Sequence, residues 1–339
     1  MKRIISAVLS LGLAVCLIGC GSDDGGSTKQ GANRDKSGGK SVGRAGKEDP
    51  KVASFIQSKG WTLMQDFRIS DGKPLKYLNV QKKGAPFTDI QLTLDDCKMI
   101  AQAKTVQVLD LRRVKNLDDE KIKALAKNSN LEGILISSEI VTNEGILALA
   151  SMKSLDHVSL FSTKKVTDAG ISALSNLPKL EQLYLAFLTI DGTCFKDFAD
   201  SQTLRSLTVE YADNLSDEGA QHIANLPNLE VLKLQTGFGK GKLTTAGIQA
   251  IVNKRLPSTF EFDKKLIDDD LFKLLVDKGW LYGPSPAGSK KEKPATAAEV
   301  KSISLDGTKV TDKGFEAVLD CTNTEYLFLS KTGISDVTF

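Results

Sequence analysis

A short motif, apolar–Thr/Ser/Asp–Asp/Asn–x–Gly–apolar, returns so regularly along this chain that it decides what the chain can fold into. Clear copies are Val141-Thr-Asn-Glu-Gly-Ile146, Val166-Thr-Asp-Ala-Gly-Ile171, Leu215-Ser-Asp-Glu-Gly-Ala220, Leu243-Thr-Thr-Ala-Gly-Ile248 and Val310-Thr-Asp-Lys-Gly-Phe315. Looser copies begin at Leu94, Leu117, Ile190, Leu266 and Ile334, and successive starts lie 23, 24, 25, 24, 25, 28, 23, 44 and 24 residues apart. A fixed period of this length is the mark of stacked supersecondary units, none of which can bury its apolar face alone.

A second pattern runs in phase with the first. Before each motif from the second copy onward stands an L-x-x-L-x-L segment, as in Leu155-Asp-His-Val-Ser-Leu160, Leu180-Glu-Gln-Leu-Tyr-Leu185, Leu204-Arg-Ser-Leu-Thr-Val209 and Leu229-Glu-Val-Leu-Lys-Leu234. Across nine such segments 25 of 27 signature positions are aliphatic or Phe, far beyond what a 41% apolar composition would place there; the exceptions are Pro257 and Thr324. Alternation at the last three positions is the period of a half-buried strand.

Each motif then opens a helix. In Val166-Thr167-Asp168 the Thr or Asp is expected to accept a bond from the free N–H groups of the first turn. Ile171, Leu174 and Leu177 make one apolar stripe. Pro178 and Pro227 end their helices, because the residue before a proline avoids the helical region. The unit is strand, turn, helix, turn in about 24 residues.

These residues resemble the leucine-rich-repeat family, in the variant L-x-L-x-x-T-x-V-T-D-x-G-L seen at Leu305-Asp-Gly-Thr-Lys-Val-Thr-Asp-Lys-Gly-Phe315. The resemblance covers residues 94–339 and implies an α/β, right-handed solenoid, curved, with a parallel sheet on the concave side and helices on the convex side. The family's inward Asn or Cys after the strand is replaced by Thr163, Thr308 and Thr332, and elsewhere by Glu139, Leu188 and Ala212. Residues 50–93 lack the repeat and read as an N-terminal cap. It comprises a helix bearing Val52, Phe55 and Ile56, stopped by Gly60, and a hairpin of 61–69 and 75–82 around an Asp-Gly-Lys-Pro turn. Lys-Gly-Trp at 59–61 recurs at 278–280, in both places as an ordinary helix end with an apolar contact. Residues 283–298, rich in Pro, Gly, Ser and Lys, account for the 44-residue spacing as an inserted surface loop.

The N-terminus carries an address. Lys2 and Arg3 precede an apolar run from Ile4 to Gly19, which is too short to span a bilayer and has the form of a signal peptide, residues 1–19. Its end, Leu17-Ile18-Gly19-Cys20, resembles the bacterial lipobox, which implies cleavage before Cys20 and lipidation of its thiol. Acyl chains on that terminus would hold the protein on a membrane. Gly21, not Asp, follows the Cys, and the Asp-retention rule of enteric bacteria then points to the outer membrane. Residues 20–49 have one aliphatic larger than Ala after the Cys, Val42, and read as a disordered tether of about 30 Å reach.

Little chemistry is left to assign. The formal charge of +3 falls to +1 without Lys2 and Arg3, which removes the basic footprint of a nucleic-acid binder. Two histidines, His157 and His222, lie far apart, so a histidine-rich metal site is hard to build. Cys97 and Cys194 lie four repeats apart, about 19 Å at strand spacing, and Cys321 is further still; a disulfide needs Cα atoms within about 7 Å, so all three are expected free. Gly241-Lys242 is followed by Leu243, which breaks the phosphate-loop pattern. Asp268-Asp269-Asp270 sits at a helix start, where carboxylates suit the dipole rather than a cation.

No cofactor and no catalytic set is expected. The reading is a non-enzymatic binding module for a protein, or an envelope polymer, held by lipid on the bacterial cell envelope. The alternatives are a self-associating structural protein, joined weakly through the C-terminal edge at strand 324–329, and a hydrolase of envelope polymers. On the concave sheet, Leu135, Phe161 and Tyr184 are expected to cluster on three neighbouring strands with His157 and Glu210 at the margin, because exposed aromatics are typical interface anchors.

Overall fold

The computed structural model describes residues 48–67, 74–82, 89–237, 241–282 and 293–336. The leader, Cys20, the tether up to residue 47, the hairpin tip and residues 283–292 of the inserted loop lie outside them.

Strand and helix alternate as the periodicity requires. An N-terminal helix α1 (Pro50–Ser58) and an antiparallel pair, β1 (Trp61–Phe67) and β2 (Pro74–Lys82), precede the first repeat helix α2 (Leu94–Ala101). Then follow β3 (Val108–Asp110), α3 (Asp119–Leu125), β4 (Gly133–Ser137), α4 (Asn143–Ala150), β5 (His157–Phe161), α5 (Asp168–Ala173) and β6 (Gln182–Ala186). A 3-10 segment, Thr193–Phe198, replaces the α-helix of the next unit, before β7 (Ser206–Glu210), α6 (Asp217–Ala224), β8 (Val231–Gln235), α7 (Thr245–Lys254), β9 (Thr259–Phe262) and α8 (Asp269–Asp277). The last units carry β10 (Ser302–Ser304), α9 (Asp312–Phe315) and β11 (Tyr326–Phe328). Strands β2 to β9 pair in parallel in chain order, so the structure is a leucine-rich-repeat solenoid with strands on one wall and helices on the other. The signature leucines fill the space between the walls: Leu155, Val158 and Leu160 are fully buried, as are Leu109, Leu111, Ile134 and Ile136.

The cap is built on the same core. Trp61 is buried with its ring 5.5 Å from Phe55, edge-on, and Gly60 turns the chain at φ 66°. Glu48 and Asp49, read from sequence as the end of the tether, are engaged. Glu48 accepts bonds from the N–H groups of Lys104 and Thr105 and from the Thr105 hydroxyl, and Asp49 caps α1 through Lys51 N–H.

The motif does more than start helices. Asp119 accepts the N–H and hydroxyl of Thr142 in the next repeat, at 2.8 and 2.7 Å, and the N–H of Gly145 at 3.1 Å. Asp217 does the same for Thr244 and Gly247, and Asp269 for Thr311. The motif Gly is required because a Cβ at Gly145 would sit 2.6 Å from the Asp119 carboxylate and one at Gly247 2.5 Å from that of Asp217. At 166–168 the local cap expected from sequence is therefore absent. Thr167 makes no side-chain cap bond, and Asp168 instead accepts the N–H groups of Asp191, Gly192 and Cys194 one repeat on.

Two departures have local causes. The buried polar position after β4 is held by Ser138, not Glu139: this turn is one residue shorter, and the Ser138 hydroxyl donates to Leu117 O at 2.7 Å while Glu139 is exposed. The sheet also breaks between β9 and β10, which pairs only with β11. The helical wall continues across the break, since Lys309 N–H reaches Ile267 O at 2.7 Å and Thr311 reaches Asp269. Beside β9 the residues that lead into the insertion pack inward instead of a strand, with Trp280 6.2 Å from Phe262 and Leu281 and Tyr282 against the core.

Candidate functional site

The strand face is the surface on which side chains from different repeats are brought into rows. Parallel in-register pairing sets Leu135, Ser159, Tyr184, Thr208 and Lys233 side by side. Large and small residues alternate along that row, and Ser159 and Thr208 are buried between their larger neighbours. The row toward the strand C-termini holds Ser137, Phe161, Ala186, Glu210 and Gln235, and His157 lies in the row on the other side.

The five residues expected to form a patch are thus on one face, in three rows rather than one cluster. Leu135 and Tyr184 are separated by Ser159. Glu210 is not marginal: the Tyr184 hydroxyl donates to its Oε2 at 2.7 Å. Burial first, then that bond and the Glu210 charge, push the Tyr184 phenol well above its ordinary range, with the Tyr211 phenol adding to the effect. His157 is half-buried, and desolvation together with the charge of Arg112 pushes its imidazole down to about 4. It is a neutral side chain at physiological pH.

Phe161 turns to residues that lie beyond the strands. Its ring is 5.0 Å from that of Phe187, edge-on, and Phe187 stacks on Tyr211 at 4.4 Å with 12° between planes. Such pairs contribute about 0.5–1.5 kcal/mol beyond area burial. Phe187 nevertheless remains 37% exposed. Ser162, Phe187, Tyr211 and Gly237 follow the ends of β5, β6, β7 and β8, and all take left-handed φ, 53°, 57°, 53° and 58°. Glycine adopts that conformation freely; a bulky residue there is strained, and such strain concentrates at functional positions. Phe187 and Tyr211 escaped the sequence reading because inward–outward alternation ends with the strand. The signal was the repeat period, which puts Ser162, Phe187 and Tyr211 in one column at spacings of 25 and 24.

A second group missed from sequence occupies the N-terminal part of the face. Asp110, buried, receives the Tyr77 hydroxyl at 2.8 Å and a two-pronged pair from Arg112, Nε at 3.0 Å and Nη2 at 2.7 Å. The bond to Asp110 raises the Arg112 guanidinium above its ordinary value against burial, and burial raises the Tyr77 phenol. Each group has its partner, so the cluster is a fixed polar pillar. Cys97, Cys194 and Cys321 are free and buried, and burial pushes the Cys97 thiol up to about 11. Among the described residues no group of three or more His, Cys, Asp or Glu side chains could hold a metal ion, and no helix is long and apolar enough to cross a membrane.

No protein-family model and no curated protein matches the chain. Among solved structures it is similar to a chain of the yeast Rad7–Elc1 complex, at 18% identity over 71% of this chain and 68% of that one, TM-score 0.40. It is also similar to an internalin, InlF, of Listeria monocytogenes, at 13% identity over 84% and 89% of the two chains, TM-score 0.38.

Proposed function

We propose that this chain is a non-catalytic module that binds a protein on its strand face while a lipid on Cys20 holds it to a bacterial membrane, facing away from the cytoplasm. The observation that carries the binding half is the rim Phe161–Phe187–Tyr211, continuous with Tyr184 and Glu210. Its rings are left partly in water, and two of them, Phe187 and Tyr211, are carried on left-handed backbone. Aromatic anchors beside a polar rim are the usual anatomy of a binding hot spot. Crosslinking in native membranes identifies the bound protein, and Phe161→Ala with Tyr184→Ala tests the surface. Lost capture with an unchanged melting temperature supports the site; full capture by the stable double variant removes it.

The membrane half stands on the leader and on Leu17-Ile18-Gly19-Cys20. Cys20→Ala should abolish acylation and shift the protein out of the detergent phase. An unchanged mass and partitioning would remove the anchor.

A second reading, self-association, is favoured by β11. Tyr326 and Phe328 are exposed there, and Leu327, Leu329 and Ile334 are only half-buried where most earlier repeats bury their counterparts. Light scattering showing a strict monomer at high concentration would eliminate it.

A further inference from the structure

Several carboxylates on and just beyond the strand face are matched with cations. Asp110 is clamped by Arg112, Glu261 lies 3.0 Å from Lys233, and Asp263 is 3.7 Å from Lys265. Among the described residues Glu210 has no cation partner. Its Oε2 takes the Tyr184 hydroxyl, which leaves the charge uncompensated. Glu210 is also the acidic residue joined directly to the aromatic rim. It precedes Tyr211 in the chain, its carbonyl accepts the Phe187 N–H at 2.9 Å, and Phe187 and Tyr211 are stacked beside it.

Cations gather on the negative π-faces of aromatic rings, and Phe187, stacked on Tyr211, is 37% exposed. A carboxylate without a counter-ion adds the second half of a cation site, and a planar guanidinium can use both halves at once, stacking on a ring while donating to an oxygen. We infer that Glu210, Phe187 and Tyr211 form a subsite for a cationic side chain, an arginine, of the protein bound on the strand face. The inference rests on the strand-face reading proposed above and names the chemistry of that partner. Tyr184 is a positioning residue: its hydroxyl holds Glu210 beside the rings.

The probe is a capped tripeptide, acetyl-Gly-Arg-Gly-amide, compared with its citrulline counterpart, which keeps the planar shape and loses the charge. Both are titrated into the full chain while the ring resonances of Phe187 and Tyr211 are followed by NMR. The arginine peptide should shift those rings saturably and bind at least about fivefold more tightly than the citrulline peptide, the size expected of an exposed cation–π contact. Glu210→Gln keeps an oxygen for the Tyr184 hydroxyl but removes the charge. It should weaken the arginine peptide and narrow its lead over the citrulline peptide to the share that the rings supply. Equal binding of the two peptides to the unaltered chain, an arginine preference that Glu210→Gln leaves undiminished, or rings that do not respond would each overturn the subsite. The two readings fail separately. Loss of partner capture by the Phe161→Ala, Tyr184→Ala variant together with no arginine preference leaves the strand face standing and the cation subsite refuted.

Discussion

Asp217 receives both the backbone N–H and the hydroxyl of Thr244, each at 2.7 Å, although the two residues belong to successive repeats. The same carboxylate takes the Gly247 N–H at 3.1 Å, so one side chain joins the start of one helix to the start of the next. Asp217→Ala leaves three donors to find new partners and should cost about 1–3 kcal/mol in urea unfolding. Asp217→Asn should cost far less, because the solenoid already contains that arrangement. Asn143 accepts Thr167 N–H through Oδ1 and donates to Thr167 Oγ1 through Nδ2, both at 2.9 Å. Equal losses in the two variants would mean that charge, not geometry, makes the ladder.

That ladder shows what was legible in the sequence and what was not. The period, the strands and the helix starts followed from Leu, Thr, Asp and Gly at fixed offsets, because burial and alternation are local consequences of spacing. The reason for the motif was hidden, since Asp168 works on Asp191, Gly192 and Cys194 and not on its own helix. A single sequence gives the offset within a repeat but not which of two neighbouring repeats a side chain reaches. Alternation within a strand likewise sets Leu135, His157, Phe161, Tyr184 and Glu210 on one face, but it gives neither their rows nor the turn residues Phe187 and Tyr211 beyond the strand ends.

The motif glycines make a second prediction. At Gly145 a methyl group would meet Asp119 Oδ1 at 2.6 Å and Val141 Cγ1 at 3.0 Å. Gly145→Ala should therefore push two repeats apart and destabilise by about 1–3 kcal/mol, the usual cost of overpacking. Helical Ala is intrinsically better than Gly by up to ~1 kcal/mol, so a stabilised variant would show that the repeats close less tightly than the geometry indicates. Thermal melts of the two proteins decide it.

His157 ties stability to pH. Its imidazole is held down to about 4 in the fold by desolvation and by the nearby Arg112 charge, whereas a free histidine titrates near ~6.5. Between those values the unfolded chain binds the extra proton, so stability falls as pH drops through this window and the contribution is level above it. His157→Gln should flatten the slope between about pH 6.5 and 5. With only two histidines in the chain, NMR can follow each ring. A His157 resonance that titrates at or above the free value would sink this prediction.

Buried hydroxyls in corresponding turns separate useful polar burial from idle polar burial. Thr163 is fully buried, and its Oγ1 has no hydrogen-bond partner. Thr236, equally buried, gives both its N–H and its hydroxyl to Asp263 Oδ2. An unmatched buried hydroxyl loses its hydration and gains nothing, at a cost of about 1–3 kcal/mol, whereas removing one half of a made bond strands the other half. Thr163→Val keeps the branched shape and should leave stability unchanged or raise it by about 1 kcal/mol. Thr236→Val should lower stability by about 1–3 kcal/mol, since the Asp263 carboxylate loses a charge-assisted bond. The two substitutions are chemically identical, so the difference between their urea midpoints reports the bond alone. Equal destabilisation by both would show that the Thr163 hydroxyl has a partner in solution, such as a bound water, that stabilises the turn.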